Sequence, residues 1–186
     1  MAEREMLTGL DGALLAEAFP WKYRPSSAEG SEAVAHLLTP RQWTERFLVR
    51  VEDETISIPA RLHFASADLP LPPSDSAWRF ARALQTRSND GFQRQRAARD
   101  LMDSLEPWCA PFIVALLGEY VVQILDDIDT ALTPQKIETL GQFIAQNEVY
   151  WQTTKHRVTS YWNVYHRSAS DSAFATKMGS GFSTSL

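Results

Sequence analysis

The stretch from Trp108 to Leu125 constrains the fold of this 186-residue chain more than any other part of it. Its sequence, WCAPFIVALLGEYVVQIL, is apolar on nearly every side over the length of a helix. Such a helix must be enclosed by other elements or by lipid. Pro111, Glu119 and Gln123 interrupt the stretch, and no basic flank marks the inner side of a membrane. We therefore expect a buried central helix rather than a membrane span.

The composition suits one compact domain in the cytoplasm. Apolar residues make up 44% of the chain, enough for a sizeable core at this length. The single cysteine, Cys109, excludes an intramolecular disulfide and favours a reducing compartment. The N-terminal segment lacks the continuous apolar region of a signal peptide, so we expect a cytoplasmic location.

Apolar spacing predicts helices on both sides of the central segment. Residues 75–104 carry two apolar stripes separated by a turn, which predicts two antiparallel helices. Further helices are expected to begin near residues 134 and 148. Helical spacing also occurs from Thr8 to Ala18.

Residues 39–42 have the pattern of a helix start. Thr39 can cap the helix, Pro40 can occupy its first position, and Gln42 can bond back to the cap. The sequence therefore predicts a further helix from this point.

Alternation of side chains predicts one β-hairpin between residues 47 and 64. Phe47, Val49 and Val51 alternate with other residues, a polar turn follows at 52–54, and alternation resumes after it. Pro59 cannot donate a ladder hydrogen bond, so the second strand is expected at an edge or at a bulge.

Together these patterns predict a mainly α fold with a single domain over residues 1–167. Stacked helical hairpins surround the central apolar helix, and one small β-hairpin packs at their side. Residues 1–30 are expected to form a loosely packed N-terminal arm. Residues 168–186 are rich in serine, which predicts a flexible tail or a segment that docks on a partner.

Part of the predicted helical hairpin resembles a HEAT repeat. After an acidic turn, Arg94 is followed by the small residues Ala97 and Ala98 and then by Leu101, the order found in the second helix of that repeat. Gln93 departs from the family, which has an aliphatic residue there. The resemblance covers only residues 74–105. It implies stacked helical hairpins that present surfaces to other macromolecules, and it implies no catalysis.

Glu119 is the weak catalytic candidate, because it lies in the middle of the apolar stretch. A buried carboxylate needs a partner or a raised pKa, and it could serve as a general acid or base. The preferred interpretation is structural: Glu119 turns toward an arginine of the neighbouring hairpin or reaches solvent along a narrow polar stripe with Gly118 and Gln123.

Six arginines between residues 75 and 100 could bind the phosphates of a nucleic acid. Several stand four residues from an aspartate, which predicts surface ion pairs within one helix. Those predicted pairs are Asp90 with Arg94, Arg96 with Asp100, and Arg99 with Asp103. Arg79, Arg82 and Arg87 lack such a partner and are the candidate nucleic-acid ligands.

Two further sets of residues are candidate binding residues. Asp126, Asp127 and Asp129 place negative charge at the end of the predicted central helix, where the helix dipole disfavours it unless a basic partner neutralises it. Trp162 belongs to an aromatic stripe of the last helix, which could form a pocket or face the core.

No local motif indicates an enzyme, a metal site or a cofactor. The four histidines are scattered without ligand spacing, and the chain has no P-loop, GxGxxG or GxSxG sequence. We expect a non-enzymatic protein-binding module, an adaptor or an inhibitor of a macromolecular partner. The alternatives are a nucleic-acid-binding protein that uses the Arg79–Arg99 segment and an enzyme with its acid at Glu119. Homo-oligomerisation stays open.

Overall fold

The structure is a computed structural model that describes the backbone of residues 4–8, 10–119 and 121–165, and the side chains of residues 10–42, 44–119 and 121–157. The described chain is mainly helical with a small antiparallel sheet, as the sequence predicts. The strands are β1 (Arg4–Thr8), β2 (Arg41–Val51) and β3 (Glu54–Pro59). The helices are α1 (Gly12–Ala16), α2 (Ser26–Ala35), α3 (Ser76–Gln85), α4 (Gly91–Asp103), α5 (Ala110–Leu116), α6 (Val122–Ala131), α7 (Pro134–Gln146) and α8 (Glu148–Tyr165). Single 3-10 turns occupy Trp21–Tyr23 and Pro107–Cys109.

The sheet has the order β1-β2-β3, so the central strand β2 pairs with both other strands. The first part of β2 pairs with β1, and the second part pairs with β3 in the predicted hairpin. Glu52 and Asp53 form its turn with φ values of 49° and 70°, the left-handed conformation that suits the twist of a two-residue hairpin turn. The hairpin is confirmed, and β3 ends at Pro59.

The N-terminal segment differs from the predicted helix. Arg4–Thr8 form β1, and among the described residues before Glu17 the helical ones are Gly12–Ala16. Asp11 begins this short helix, because its carboxylate accepts the backbone N–H of Leu14 at 2.8 Å. Leu15 and Phe19 lie in the core.

The predicted helix start at residues 39–42 is wrong, because β2 begins there. The amide of Gln42 donates to the carbonyl of Thr39 and to the carbonyl of His63, and its oxygen accepts the backbone N–H of His63. A buried amide that satisfies backbone groups of a distant segment outweighs a local capping pattern.

The predicted helical hairpin is α3 followed by α4, and it anchors the helical layers. α2 packs on α3, α1 packs on α2, and α6 packs on α4, while α5 packs against α7 and α8. Gly30 allows α2 to approach α3 closely, since a Cβ there would lie 2.4 Å from the carbonyl oxygen of Ala77.

The apolar stretch 108–125 is not one helix, which corrects the central prediction. It contains part of a 3-10 turn, then α5, then non-helical residues at 117–119 and 121, and then the start of α6. The backbone N–H groups of Leu117, Gly118 and Glu119 each donate to the carbonyl three residues earlier, so α5 tightens and stops. Residues 108–116 are buried as expected, whereas Val122 and Gln123 of α6 are exposed. The break lets α5 and α6 pack on different helices.

Aromatic rings join the helical layers in the core. Phe80 of α3 stacks on Trp108 with centroids 4.4 Å apart, and Phe19 contacts Phe80, Trp108 and Phe112. Offset or edge contacts of this kind stabilise a core beyond the area that they bury. The segment before α2 is thereby fixed to the α3–α5 region.

Asn147 connects the end of α7 to the sheet. Its Oδ1 accepts the backbone N–H of Arg50 at 2.7 Å, and its Nδ2 donates to the carbonyls of Arg50 and Phe143. The Asn147 side chain thus makes the two backbone hydrogen bonds with Arg50 that a neighbouring strand would otherwise make.

We expect Asn147→Ala to lower the free energy of unfolding by about 1–2 kcal/mol, because it removes both partners of the Arg50 backbone. Urea denaturation measures this change. Gln142→Ala, which removes an exposed amide from the same helix, is the control and should change stability by less than about 0.5 kcal/mol. Equal effects of the two substitutions would contradict the bridging role of Asn147.

Cys109 provides a chemical test of the packing. The thiol is fully buried, and burial raises its pKa to about 12. At pH 8 we expect it to react with a disulfide reagent at least about a hundredfold more slowly in the native protein than in guanidinium, because thiolate is scarce and access is blocked. Native and denatured rates measured by absorbance check this, and similar rates would show that the Cys109 region is open.

Candidate functional site

Glu119 lies at the break between α5 and α6, inside the protein. Its side chain is 5% exposed. Gly118 precedes it, and a Cβ at this glycine would lie 3.1 Å from Cγ2 of Thr154 in α8, so the chain passes close to α8 here. The carboxylate needs partners in this position, because burial of an unpaired charge is costly.

Three arginines surround the carboxylate of Glu119. Nη2 of Arg61 lies 2.7 Å from Oε1, Nη2 of Arg94 lies 3.5 Å from Oε2, and Nη2 of Arg87 lies 3.9 Å from Oε1. Arg61 follows β3, Arg87 lies in the α3–α4 turn, and Arg94 is in α4. We call these four residues the Glu119 cluster. It joins three parts of the fold at one point.

The same arginines also bind backbone carbonyls. Arg87 donates to the carbonyls of Pro59 and Ala60, at 3.3 and 2.6 Å. Arg61 and Arg94 both donate to the carbonyl of Ser88, at 3.0 and 2.8 Å. These bonds hold the segment after β3 against the α3–α4 turn, where carbonyls would otherwise be buried without a donor.

The Glu119 cluster carries more positive than negative charge. Three guanidinium groups face one carboxylate, an excess of two positive charges. Burial is the main cause that lowers the pKa of Arg87 to about 10, and the charges of Arg61 and Arg157 act in the same direction. Arg87 is therefore still protonated at neutral pH although its side chain is only 1% exposed.

The position of Glu119 fits the structural interpretation better than a catalytic one. A general acid or base must reach a substrate proton directly or through one water. Oε1 of Glu119 is instead held by Arg61, and Oε2 faces Arg94. The arrangement is that of a buried anion that positions arginines.

Arg79 and Arg82, two of the candidate nucleic-acid ligands, have partners within the protein. Arg79 contacts the carboxylate of Glu106 and lies over the ring of Trp108. Nε of Arg82 donates to Asp100 at 2.6 Å. The third candidate, Arg87, belongs to the Glu119 cluster. The three do not form a common exposed surface.

The ion pairs expected within α4 are replaced by contacts between elements. Arg99 donates to both carboxylate oxygens of Asp127 in α6, at 2.8 and 3.0 Å. Asp100 pairs with Arg82 of α3, and the carboxylate of Asp90 caps α4. Two of these contacts join α4 to a neighbouring helix, and the third caps the start of α4. A rule based on helical spacing considers only pairs within one helix.

The three candidate aspartates of α6 fall into two groups. The guanidinium of Arg99 holds the pKa of the Asp127 carboxyl below its usual value, and Gln95 also donates to it. Asp126 and Asp129 are exposed. Trp162 lies in α8, but its side chain is outside the described residues, as is the tail at 168–186.

The sequence predicted an arginine of the neighbouring hairpin as the partner of Glu119, and Arg87 and Arg94 of that hairpin lie beside its carboxylate. Arg94 was assigned to Asp90 instead, and Arg61 was not predicted. Arg61 lies 58 residues from Glu119 in the chain. The sequence contained one signal for these partners, because a carboxylate inside an apolar stretch requires basic side chains near it.

In the part of the chain that the structure describes, no group of three or more histidine, cysteine or acidic residues could hold a metal ion. None of its helices combines the length and apolar character needed to cross a bilayer. Comparison with known proteins finds no matching family, no similar curated protein and no similar solved structure. The HEAT resemblance of residues 74–105 therefore rests on the sequence pattern alone.

We expect Glu119→Gln to lower the free energy of unfolding by about 3 kcal/mol, because the arginines remain buried without their counter-charge. Urea denaturation checks this. The exposed substitution Glu138→Gln is the matched control and should have an effect below about 0.5 kcal/mol. If Glu119→Gln is as stable as the wild type, the cluster does not depend on this carboxylate.

Proposed function

We propose that this protein is a non-enzymatic, cytoplasmic protein-binding module, an adaptor or an inhibitor of a macromolecular partner. The observation that carries the proposal is a pair of large apolar side chains that line one hollow on the surface. Trp21 is 70% exposed and Leu48 is 75% exposed. We call this place the Trp21–Leu48 hollow.

The Trp21–Leu48 hollow is open and shallow, with a volume of about 280 Å³. It is lined by Glu17, Phe19, Trp21, Leu48, Glu54, Thr55, Ile56 and Ser57. Exposed apolar side chains rimmed by polar ones are typical of sites that bind proteins, and tryptophan is frequent among the residues that contribute most to binding.

Local structure explains why both apolar side chains face outward. Leu48 pairs with Ser57 across β2 and β3, on the face opposite to the buried pair Val49 and Ile56. The backbone N–H of Trp21 donates to the Glu54 carboxylate at 2.8 Å, and Arg24 lies over the indole ring. The hollow is therefore held in place before a partner arrives, which lowers the entropy cost of binding.

Charge favours a partner segment that is both apolar and basic. The charged residues that line the hollow are the acids Glu54 and Glu17, and Glu17 pairs with Arg46 at 3.1 Å at the edge of the hollow. The whole chain carries a net charge of −5. An apolar side chain of the partner would pack between Trp21 and Leu48 while a lysine or arginine approaches these carboxylates.

The other two functions expected from the sequence have less support. Arg79 and Arg82 would have to leave Glu106 and Asp100 in order to bind a nucleic acid. Glu119 is covered by its arginines, so a substrate has no direct approach to the carboxylate. No observation favours either function over protein binding.

The first experiment is capture of partners by tagged wild-type protein and by Leu48→Lys from a lysate of the cells that produce the protein, with nuclease present. Mass spectrometry identifies what is retained, and binding is then measured with the purified partner. We expect Leu48→Lys to weaken binding at least about tenfold, because it places a charge in the apolar contact and opposes a basic partner.

Val149→Lys is the matched control, since Val149 is 81% exposed and lies on α8 rather than in the hollow. It should leave binding unchanged. If Leu48→Lys binds as well as the wild type while Asp126→Asn/Asp129→Asn binds less, the acidic face of α6 is the docking surface instead. A partner that disappears on nuclease treatment would contradict protein binding itself.

A further inference from the structure

The outer edge of β3 is open at Thr55. In the described sheet β3 pairs with β2 alone, so its other edge has no neighbouring strand. The backbone N–H of Ser57 donates to the carbonyl of Glu17 at 2.9 Å, which shows that the backbone groups of Ser57 point away from β2. Those of Thr55, two residues earlier, point the same way, because backbone groups alternate in direction along a strand. Neither has a hydrogen-bond partner among the described residues.

The residue opposite Thr55 shows how such backbone groups can be satisfied. Thr55 pairs with Arg50 of β2, whose backbone groups point to the other side of the sheet. There the side chain of Asn147 accepts the N–H of Arg50 and donates to its carbonyl. No described side chain does the same for Thr55, which is exposed. Its N–H and C=O are therefore available to another chain.

The Trp21–Leu48 hollow lies next to this open edge, and Thr55 is one of its lining residues. Leu48 pairs with Ser57, and the side chain of Ser57 lies on the same face of the sheet as that of Thr55. On an added strand, the residue directly opposite Thr55 has its side chain on this face as well. That side chain would enter the hollow between Trp21 and Leu48.

We propose that the partner adds an extended segment to β3, antiparallel to it, and that one residue of this segment exchanges two backbone hydrogen bonds with Thr55. The inference rests on the protein-binding function proposed above and defines the conformation of the bound segment. The antiparallel direction fits, because a single residue then makes both bonds. The opening suits a single residue, since the N–H of Ser57 is already bonded to Glu17. Addition of a strand to an exposed sheet edge is a recurring way to bind peptides.

The lining of the hollow defines the side chains of the bound segment. The residue opposite Thr55 is apolar and packs between Trp21 and Leu48, which are both exposed. A neighbouring residue of the segment lies opposite Glu54, on the face to which the Glu54 side chain points. The carboxylate of Glu54 accepts the backbone N–H of Trp21, and a lysine or arginine at the neighbouring position would neutralise its charge. The segment therefore alternates apolar and basic residues.

The probe is the synthetic peptide acetyl-Thr-Lys-Leu-Lys-Thr-amide, whose leucine would enter the hollow. It is titrated into the isotope-labelled full-length protein while the amide signals are followed by NMR. We expect saturable shifts of the Thr55 signal with a dissociation constant of about 1 mM or lower. Hydrogen exchange of the Thr55 N–H should slow at least about tenfold at saturation, because a peptide carbonyl then accepts it.

N-methylated peptides test the backbone contact without any change to the protein. Methylation of the leucine nitrogen removes the N–H that donates to Thr55, and it should weaken binding at least about tenfold. Methylation of the second lysine nitrogen is the matched control, because that N–H points away from β3, and it should change the affinity by less than about twofold.

Variants of the protein test the same contact from the other side. Thr55→Pro removes the outward N–H but no hydrogen bond to β2, and an edge strand accepts proline at such a position. Thr55→Val loses the hydroxyl group and keeps the N–H. We expect Thr55→Pro to bind the peptide at least about tenfold more weakly than Thr55→Val. If Thr55→Pro does not fold, the methylated peptides with the wild-type protein decide the question.

The inference is overturned if the peptide does not shift the Thr55 signal, if the two Thr55 variants bind equally, or if methylation of the leucine has no effect. If Leu48→Lys loses binding while the two Thr55 variants bind equally, the hollow binds an apolar side chain without strand pairing. Strand addition then fails and the protein-binding function stands. If a purified partner binds Leu48→Lys as well as the wild type, both fail at this hollow.

Discussion

The ion contacts of Glu119 with Arg61, Arg87 and Arg94 hold the sheet, the α3–α4 hairpin and the α5–α6 break together. Each guanidinium also serves carbonyls of another segment, so one group of buried charges satisfies backbone groups that have no ladder or helix partner. Apolar packing around Trp108 stabilises the helices, but it does not specify how the sheet meets them. The ionic contacts of Glu119 specify how the sheet meets the helices, because these contacts depend on direction and distance.

The break after α5, at residues 117–119, follows from the same contacts. A continuous helix would carry Glu119 along the path of α5, whereas the observed turn brings its carboxylate to Arg61, 58 residues away in sequence. Desolvation of a carboxylate and of a guanidinium costs more than the loss of a few helical hydrogen bonds, so the pairing determines where α5 ends. An apolar segment of helical length is thereby divided between two layers.

Most of the secondary structure could be predicted from local patterns, and two of the exceptions share one cause. The α3–α4 hairpin, the β2–β3 hairpin and α7 each have periodic side chains and a local start or turn signal. The helix start at Thr39 and the continuous helix 108–125 were wrong, because Gln42 and Glu119 bond to residues far away in the chain. A local pattern contains no information about such partners.

The candidate site was predictable only in part, because its partners also lie far apart in the chain. Glu119 stood out as a carboxylate in an apolar context, and Arg79, Arg82 and Arg87 stood out because they lack a partner at helical spacing. Arg79 and Arg82 have partners on other elements, so the absence of a local partner indicated a tertiary contact. Arg87 differs from both, since its distance to Glu119 is longer and one of its donors is unused among the described residues. A basic side chain without a partner at helical spacing therefore points first to a contact with another element of the fold.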